Sequence, residues 1–188
     1  MNKYQAKDGN VLILAGREGL PLQILQDTIR TRGSVRPGNI IKVDSFLNHQ
    51  LDMDLLEAVG REFYGLFGHT NATKILTCEA SGIAIAAETA RIFKIPAIFA
   101  KKTPSKNIDS QCYSANVYSY TRQAHYQMRV SKEFVTKADR ILIIDDFLAN
   151  GLAVLGMKDI VDQAGATVVG CGIVIEKGFQ PGGTLVRE

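Results

Sequence analysis

Apolar positions recur along this chain at two spacings, and the switching between them outlines its architecture. Leu22, Leu25 and Ile29 follow Pro21 at helical intervals and stop before Gly33. A short amphipathic helix is expected there, with proline in its first turn and glycine closing it. Arg36-Pro37-Gly38 forces a turn, and residues 40–47 read as a strand. Asp52 is placed to cap a helix whose stripe is Leu55, Leu56, Val59, Phe63, Leu66 and Phe67. Beyond residue 73 the order is regular: strands over 74–78, 96–100, 140–145 and 167–176 alternate with helices over 83–93 and 152–164. Such alternation implies right-handed βαβ crossovers and an α/β fold, a mainly parallel sheet flanked by helices and buried on both faces.

The pattern breaks between Lys101 and Lys132, a polar stretch rich in Ser and Tyr, in which residues 116–122 alternate weakly like an exposed hairpin. An interval this long inside a compact domain is more often a functional lid than filler. The first twenty residues fit no element cleanly, so the expected organisation is an extension over 1–20 and a single domain over 21–188.

Composition removes several classes of function. Lys and Arg number 22 against 19 Asp and Glu, a net charge of +3, and there is no dense basic run or stripe of interleaved aromatics. A dedicated nucleic-acid binder would carry such a footprint. Cys78, Cys112 and Cys171 are far apart and in no metal-ligand spacing, and His49, His69 and His125 form no pair at helical spacing. Buried reduced thiols, no protein metal site and no Cys/His nucleophile are expected. No apolar run approaches the roughly 20 residues that span a bilayer, and the run at 11–15 has the wrong flanks for a signal peptide. The expected location is the cytoplasm.

The chemistry concentrates in ILIIDDFLANGLA, residues 141–153. Two carboxylates, Asp145 and Asp146, stand where a buried run ends, and a loop over 147–151 leads into a helix at Gly151. In an open α/β sheet, ligands bind beyond the carboxyl ends of the strands. A helix start offers unpaired N–H groups and the positive end of the dipole to an anion. Adjacent acids followed by a phosphate cradle suit a ribose 5-phosphate, the acids accepting from vicinal hydroxyls while the loop amides hold the phosphate. The plainer alternative is that the acids only end the strand and cap its loop.

ILIIDDFLANGLA resembles the phosphoribosyl diphosphate (PRPP) signature of the type I phosphoribosyltransferases: four apolar residues, two acids and a small-residue phosphate loop. Asn150 stands where many members have Thr or Ser. KVDSFLNHQ at 42–50, EASGIA at 79–84 and IVIEKGFQPG at 173–182 resemble those members of the family that use xanthine. The resemblance, covering about residues 22–182, implies the type I fold with a flexible lid and a small hood built from about 21–50 and 176–188. It implies transfer of the phosphoribosyl group from PRPP to xanthine, giving xanthosine 5′-monophosphate and pyrophosphate in purine salvage. Asp145 and Asp146 would take the ribose hydroxyls, and Ala149, Asn150, Gly151, Leu152 and Ala153 the 5-phosphate.

By the same resemblance Mg2+ would arrive on the pyrophosphate, and Lys101 and Lys102 would supply cations to it from a strand end, although two lysines in a loop are equally read as solvated. Ile41, Asn48 and Lys177 would meet the base, with Phe179 a candidate for stacking. A homodimer is implied, since this region and the lid reach a neighbouring subunit's site in related enzymes. Lys101 and Ala80 depart from the usual family residues. The family pattern leads to one or two further strands after GFQPGG, so the hood is expected to be incomplete at Glu188. Two alternatives stay open: another purine base (hypoxanthine, guanine or adenine), and a PRPP-sensing purine-operon regulator. The regulator should carry a winged-helix module, yet only about forty residues precede Lys42.

Overall fold

A computed structural model describes residues 11–15, 22–38, 40–102, 111–119 and 124–187. Its centre is a five-stranded parallel sheet in the order β1 (Val11–Ala15), β9 (Thr167–Glu176), β8 (Arg140–Leu148), β4 (Lys74–Cys78) and β5 (Ala97–Ala100). Strand β8 shows why these segments read as unbroken apolar runs. Leu142 and Ile144 belong to one hydrophobic cluster, while Ile141 and Ile143 belong to another. Alternate side chains leave a strand on opposite faces, so both faces of β8 are covered.

The first cluster is closed by α1 (Gln23–Arg32), α2 (Met53–Phe67) and α3 (Gly82–Phe93). Asp52 starts α2 as expected, its carboxylate accepting from the Leu55 N–H at 3.2 Å. Phe63 and Phe67 of α2 are fully packed, and burying each such ring stabilises the fold by about 1.5–3 kcal/mol. Their rings occupy the space that side chains on Gly172 and Gly170 of β9 would need. The Gly-Cys-Gly run therefore serves helix packing, consistent with its place inside a strand rather than at a dinucleotide-binding turn.

The second cluster is closed by α4 (Leu152–Gln163) and by an antiparallel ribbon of β6 (Cys112–Ser119) and β7 (Ala124–Ser131). This ribbon lies in the stretch expected as a lid and is longer than the hairpin anticipated over 116–122. It is tied to the sheet by a reciprocal backbone pair between Lys101 and Arg129, each N–H to O distance being 2.9 Å.

Four local expectations need correction. Residues 40–47 do not form one strand: β3 (Ile40–Lys42) pairs back onto β2 (Ser34–Arg36), and Asp44–Asn48 then forms a π-helical turn. The turn wins because it drives Phe46 and Leu47 into the core, where both are fully buried. Val11–Ala15, given no element from its pattern, is an outer strand parallel to β9. Strand β8 passes through the two acids and continues to Leu148, because its pairing with β9 runs on to Leu148 and Glu176. The loop expected over 147–151 is consequently shortened to three residues before α4. A short helix, α5 (Gly182–Arg187), follows β9.

Candidate active site

The site is built outward from the carboxyl end of β8. Asp145 and Asp146 are each 7% exposed, and because they lie within the strand their backbones are held by the ladder to β9, where Asp145 pairs with Ile173. Asp145 Oδ1 accepts from the Asp146 N–H at 3.0 Å. Burial pushes the Asp145 carboxyl well above the usual carboxylate range, the neighbouring Asp146 charge raises it further, and Lys102 opposes the change. Carboxyl oxygens accept from hydroxyls, so two adjacent acids suit hydrogen bonding to the vicinal hydroxyls of a sugar.

The next three residues turn the chain into α4. Gly151 has φ 82°, the left-handed region that favours glycine, and Asn150 Oδ1 accepts from the Leu152 N–H at 3.3 Å. The asparagine side chain thus closes the turn from the residue before the N-cap Gly151. Ala149, Asn150, Gly151, Leu152 and Ala153 form one continuous turn at a helix start, with the backbone N–H groups and dipole of an anion cradle. The cradle is braced from the chain's far end. The Gly182 N–H donates to the Ala149 carbonyl at 3.0 Å, and a Cβ on Gly151 would lie 3.1 Å from Val186 Cγ2 and 3.3 Å from Gly182 Cα. An ion pair between Arg187 and Glu176 at 3.3 Å holds α5 in this position.

Beside β8, the turn from β4 into α3 brings a second set of groups. The Glu79 N–H donates to the Ala100 carbonyl at 3.1 Å, and the Glu79 carboxylate accepts from the Lys102 N–H. The Lys102 ammonium lies 5.1 Å from the Tyr126 ring centre and is close enough to act on both Asp145 and Cys78. The Cys78 thiol is nonetheless pushed up to about 12 by burial, so it is not a nucleophile. Cys171 is likewise pushed up by burial. Lys101 and Lys102 thus separate: Lys102 faces the acids, whereas Lys101 lines a groove of about 550 Å³ along the free edge of β5 with Phe99, Arg129 and Phe134. Neither acid lines that groove.

Of the residues expected at the base, Lys177 follows β9 directly, its N–H donating to the Leu148 carbonyl at 2.8 Å and its ammonium 5.4 Å from the Phe147 ring centre. The strand ladder thus sets Lys177 one step from the phosphate cradle. Ile41 and Phe147 pack at the margin of the same core cluster, Asn48 ends the exposed side of the π-helical turn, and Phe179 is 56% exposed. Three features escaped the sequence reading: the bracing of the cradle by Gly182, the ring of Phe147 beneath Lys177, and the hydroxyl of Thr77 below the acids. The repeated glycines of GFQPGG were a signal for the first. Thr77 had none, since threonine is an ordinary strand residue.

Residues 47–182 match the phosphoribosyl transferase domain family. The chain belongs to this family. The match spans the acids, the cradle and the β4–α3 turn, so the site lies inside the family's own segment. Among curated relatives, the xanthine phosphoribosyltransferase of Lachnoclostridium phytofermentans is 52% identical over 167 residues, covering 89% of this chain and 86% of its own. That of Alkaliphilus metalliredigens is 54% identical, covering 88% and 82%. Solved phosphoribosyltransferases share the fold at low identity. The adenine phosphoribosyl transferase of Trypanosoma brucei superposes with a TM-score of 0.71 at 19% identity, covering 85% of this chain and 70% of its own. The adenine phosphoribosyltransferase of Rhodothermus marinus gives 0.70 at 19% identity, covering 86% and 92%.

Proposed function

We propose that this chain transfers the 5-phosphoribosyl group of PRPP to xanthine, releasing pyrophosphate and forming xanthosine 5′-monophosphate for purine salvage. The bond between the anomeric carbon and the pyrophosphate oxygen breaks as a bond to a ring nitrogen of the base forms, through an oxocarbenium-like state. Positioning and charge stabilisation carry such a reaction, and no protein nucleophile is required. The observation that carries the reading is the direct run of two buried acids into a glycine-opened helix start, in a chain 52% identical over 167 residues to a xanthine phosphoribosyltransferase.

Asp145 and Asp146 take the ribose hydroxyls, and Ala149, Asn150, Gly151, Leu152 and Ala153 hold the 5-phosphate. Lys102 balances charge near the leaving pyrophosphate, and Lys101 faces the lid side of the same strand end. Mg2+ belongs to the substrate, entering on PRPP and leaving on pyrophosphate with several of its waters. Lys177 donates to a carbonyl or ionised position of the base, with Asn48 and Ile41 as an amide donor and an apolar contact. Xanthine offers carbonyl oxygens to such donors, whereas the amino group of adenine does not. The working form is a cytoplasmic homodimer, a reading supported by the family resemblance.

Pyrophosphate release from PRPP and Mg2+, with xanthine, guanine, hypoxanthine and adenine supplied one at a time, tests this. Turnover chiefly with xanthine is expected. Turnover chiefly with another purine keeps the PRPP site and overturns the base assignment. PRPP binding without turnover on any base favours a regulatory role.

A further inference from the structure

Thr77 lies one residue before the end of β4 and is 1% exposed. Among the described residues, its hydroxyl is the buried side-chain polar atom with no hydrogen-bond partner. A strand here needs only a β-branched side chain, which valine would supply without stranding a polar atom. The hydroxyl itself therefore calls for an explanation.

The surroundings supply one. A Cβ on Gly82 would collide with Thr77 Oγ1 and would lie 2.6 Å from Asp145 Oδ1. The hydroxyl and the carboxyl oxygen thus crowd the same point beneath the first turn of α3, a narrow gap with no room for a side chain on residue 82. Asp145 Oδ1 accepts one hydrogen bond, from the Asp146 N–H at 3.0 Å, and has capacity for a second.

We propose that Thr77 is a positioning residue for Asp145: its hydroxyl, unpaired in this structure, takes Oδ1 as its partner when the carboxyl turns to the sugar, and so fixes the rotation of the carboxyl with Oδ2 directed to the ribose. This rests on the assignment of Asp145 to the ribose hydroxyls. A hydroxyl suits the task because it donates to a carboxylate and accepts from a carboxylic acid, so Asp145 is held in either protonation state. Gly82 has the complementary role, since any side chain there would wedge the two groups apart.

The test compares Thr77→Val, Thr77→Ser and Asp145→Asn, with the Thr77→Val/Asp145→Asn double variant, in the full chain. Thr77→Val removes an unpaired hydroxyl and keeps the shape, so thermal stability should hold or rise. The kcat/KM for PRPP should fall about tenfold, with the KM for xanthine unchanged, as expected for loss of one hydrogen bond. Thr77→Ser should restore the parent value, and Thr77→Val should add nothing in the Asp145→Asn background. Parent-like kinetics in Thr77→Val alongside an impaired Asp145→Asn overturns the role of Thr77, as does full additivity of the two. Parent-like kinetics in Asp145→Asn overturns the ribose assignment itself, and the inference with it. If Thr77→Val does not fold, Thr77→Ala in the two backgrounds gives the same comparison.

Discussion

Strands β8 and β9 are parallel neighbours whose carboxyl ends lie side by side, yet they finish differently. The acids of β8 are buried within the ladder and run into a cradle that is capped by Asn150 and braced by Gly182. After Glu176 of β9 the chain is more open: Lys177 is half-buried over Phe147, and Phe179 is exposed. On the proposed assignment, the groups that meet the sugar phosphate are held by backbone pairing, and the base is met by one anchored cation with room around it. Such a division would let one fold keep the phosphoribosyl end and vary the base end.

Breaking the β8 end should have the largest effect. Replacing Asp145 and Asp146 together by Asn should lower kcat/KM for PRPP by about 100-fold or more while the domain stays folded. Steady-state kinetics with circular dichroism checks both halves, and parent-like kinetics would sink the assignment. The cradle is next. Gly151→Ala puts a side chain at φ 82°, beside Val186 and Gly182. At about 1–2 kcal/mol for left-handed strain, the melting temperature should fall by about 2–8 °C, with PRPP binding weakened as well. An unchanged melting point would show that the turn relaxes freely.

The β9 end should respond more narrowly. Lys177→Ala removes one cation from a partly open place, so the KM for xanthine should rise about tenfold with little change in the KM for PRPP. Equal increases in both would mean that Lys177 supports the cradle through its backbone neighbour Leu148 rather than reading the base.

The same contrast explains what was legible in the sequence. Strands β4 and β9 were expected over their observed residues because burial on both faces leaves an unbroken apolar run. The end of β8 was misplaced because two aspartates look like a terminus, whereas pairing with β9 carries the strand beyond them. Residues 40–47 were misread because Phe46 and Leu47 are apolar for the sake of the core, not of a strand. At the site, the acids and the cradle were visible as a contiguous pattern. The contact of Gly182 with Ala149 and the gap shared by Thr77 and Asp145 join distant segments, so no local pattern announces them.

The smallest effect concerns stability and separates the two strand ends by pH. Burial holds the Asp145 carboxyl well above its ordinary value of 3.8, which applies when the chain is unfolded. As pH rises past 3.8, the unfolded chain releases this proton and the folded protein keeps it, so the unfolded state is favoured progressively until the folded group also ionises. Asp145→Asn removes that penalty. The variant should therefore melt higher than the parent at neutral pH in the absence of PRPP, by about 2–4 °C for each kcal/mol recovered. Its advantage should shrink as pH falls toward 3.8, where both states of the parent carry the proton. Lys177→Ala should show no such trend. A variant whose advantage grew with acidity would mean that Asp145 is stabilised as the carboxylate, and burial would then not be what governs this carboxyl.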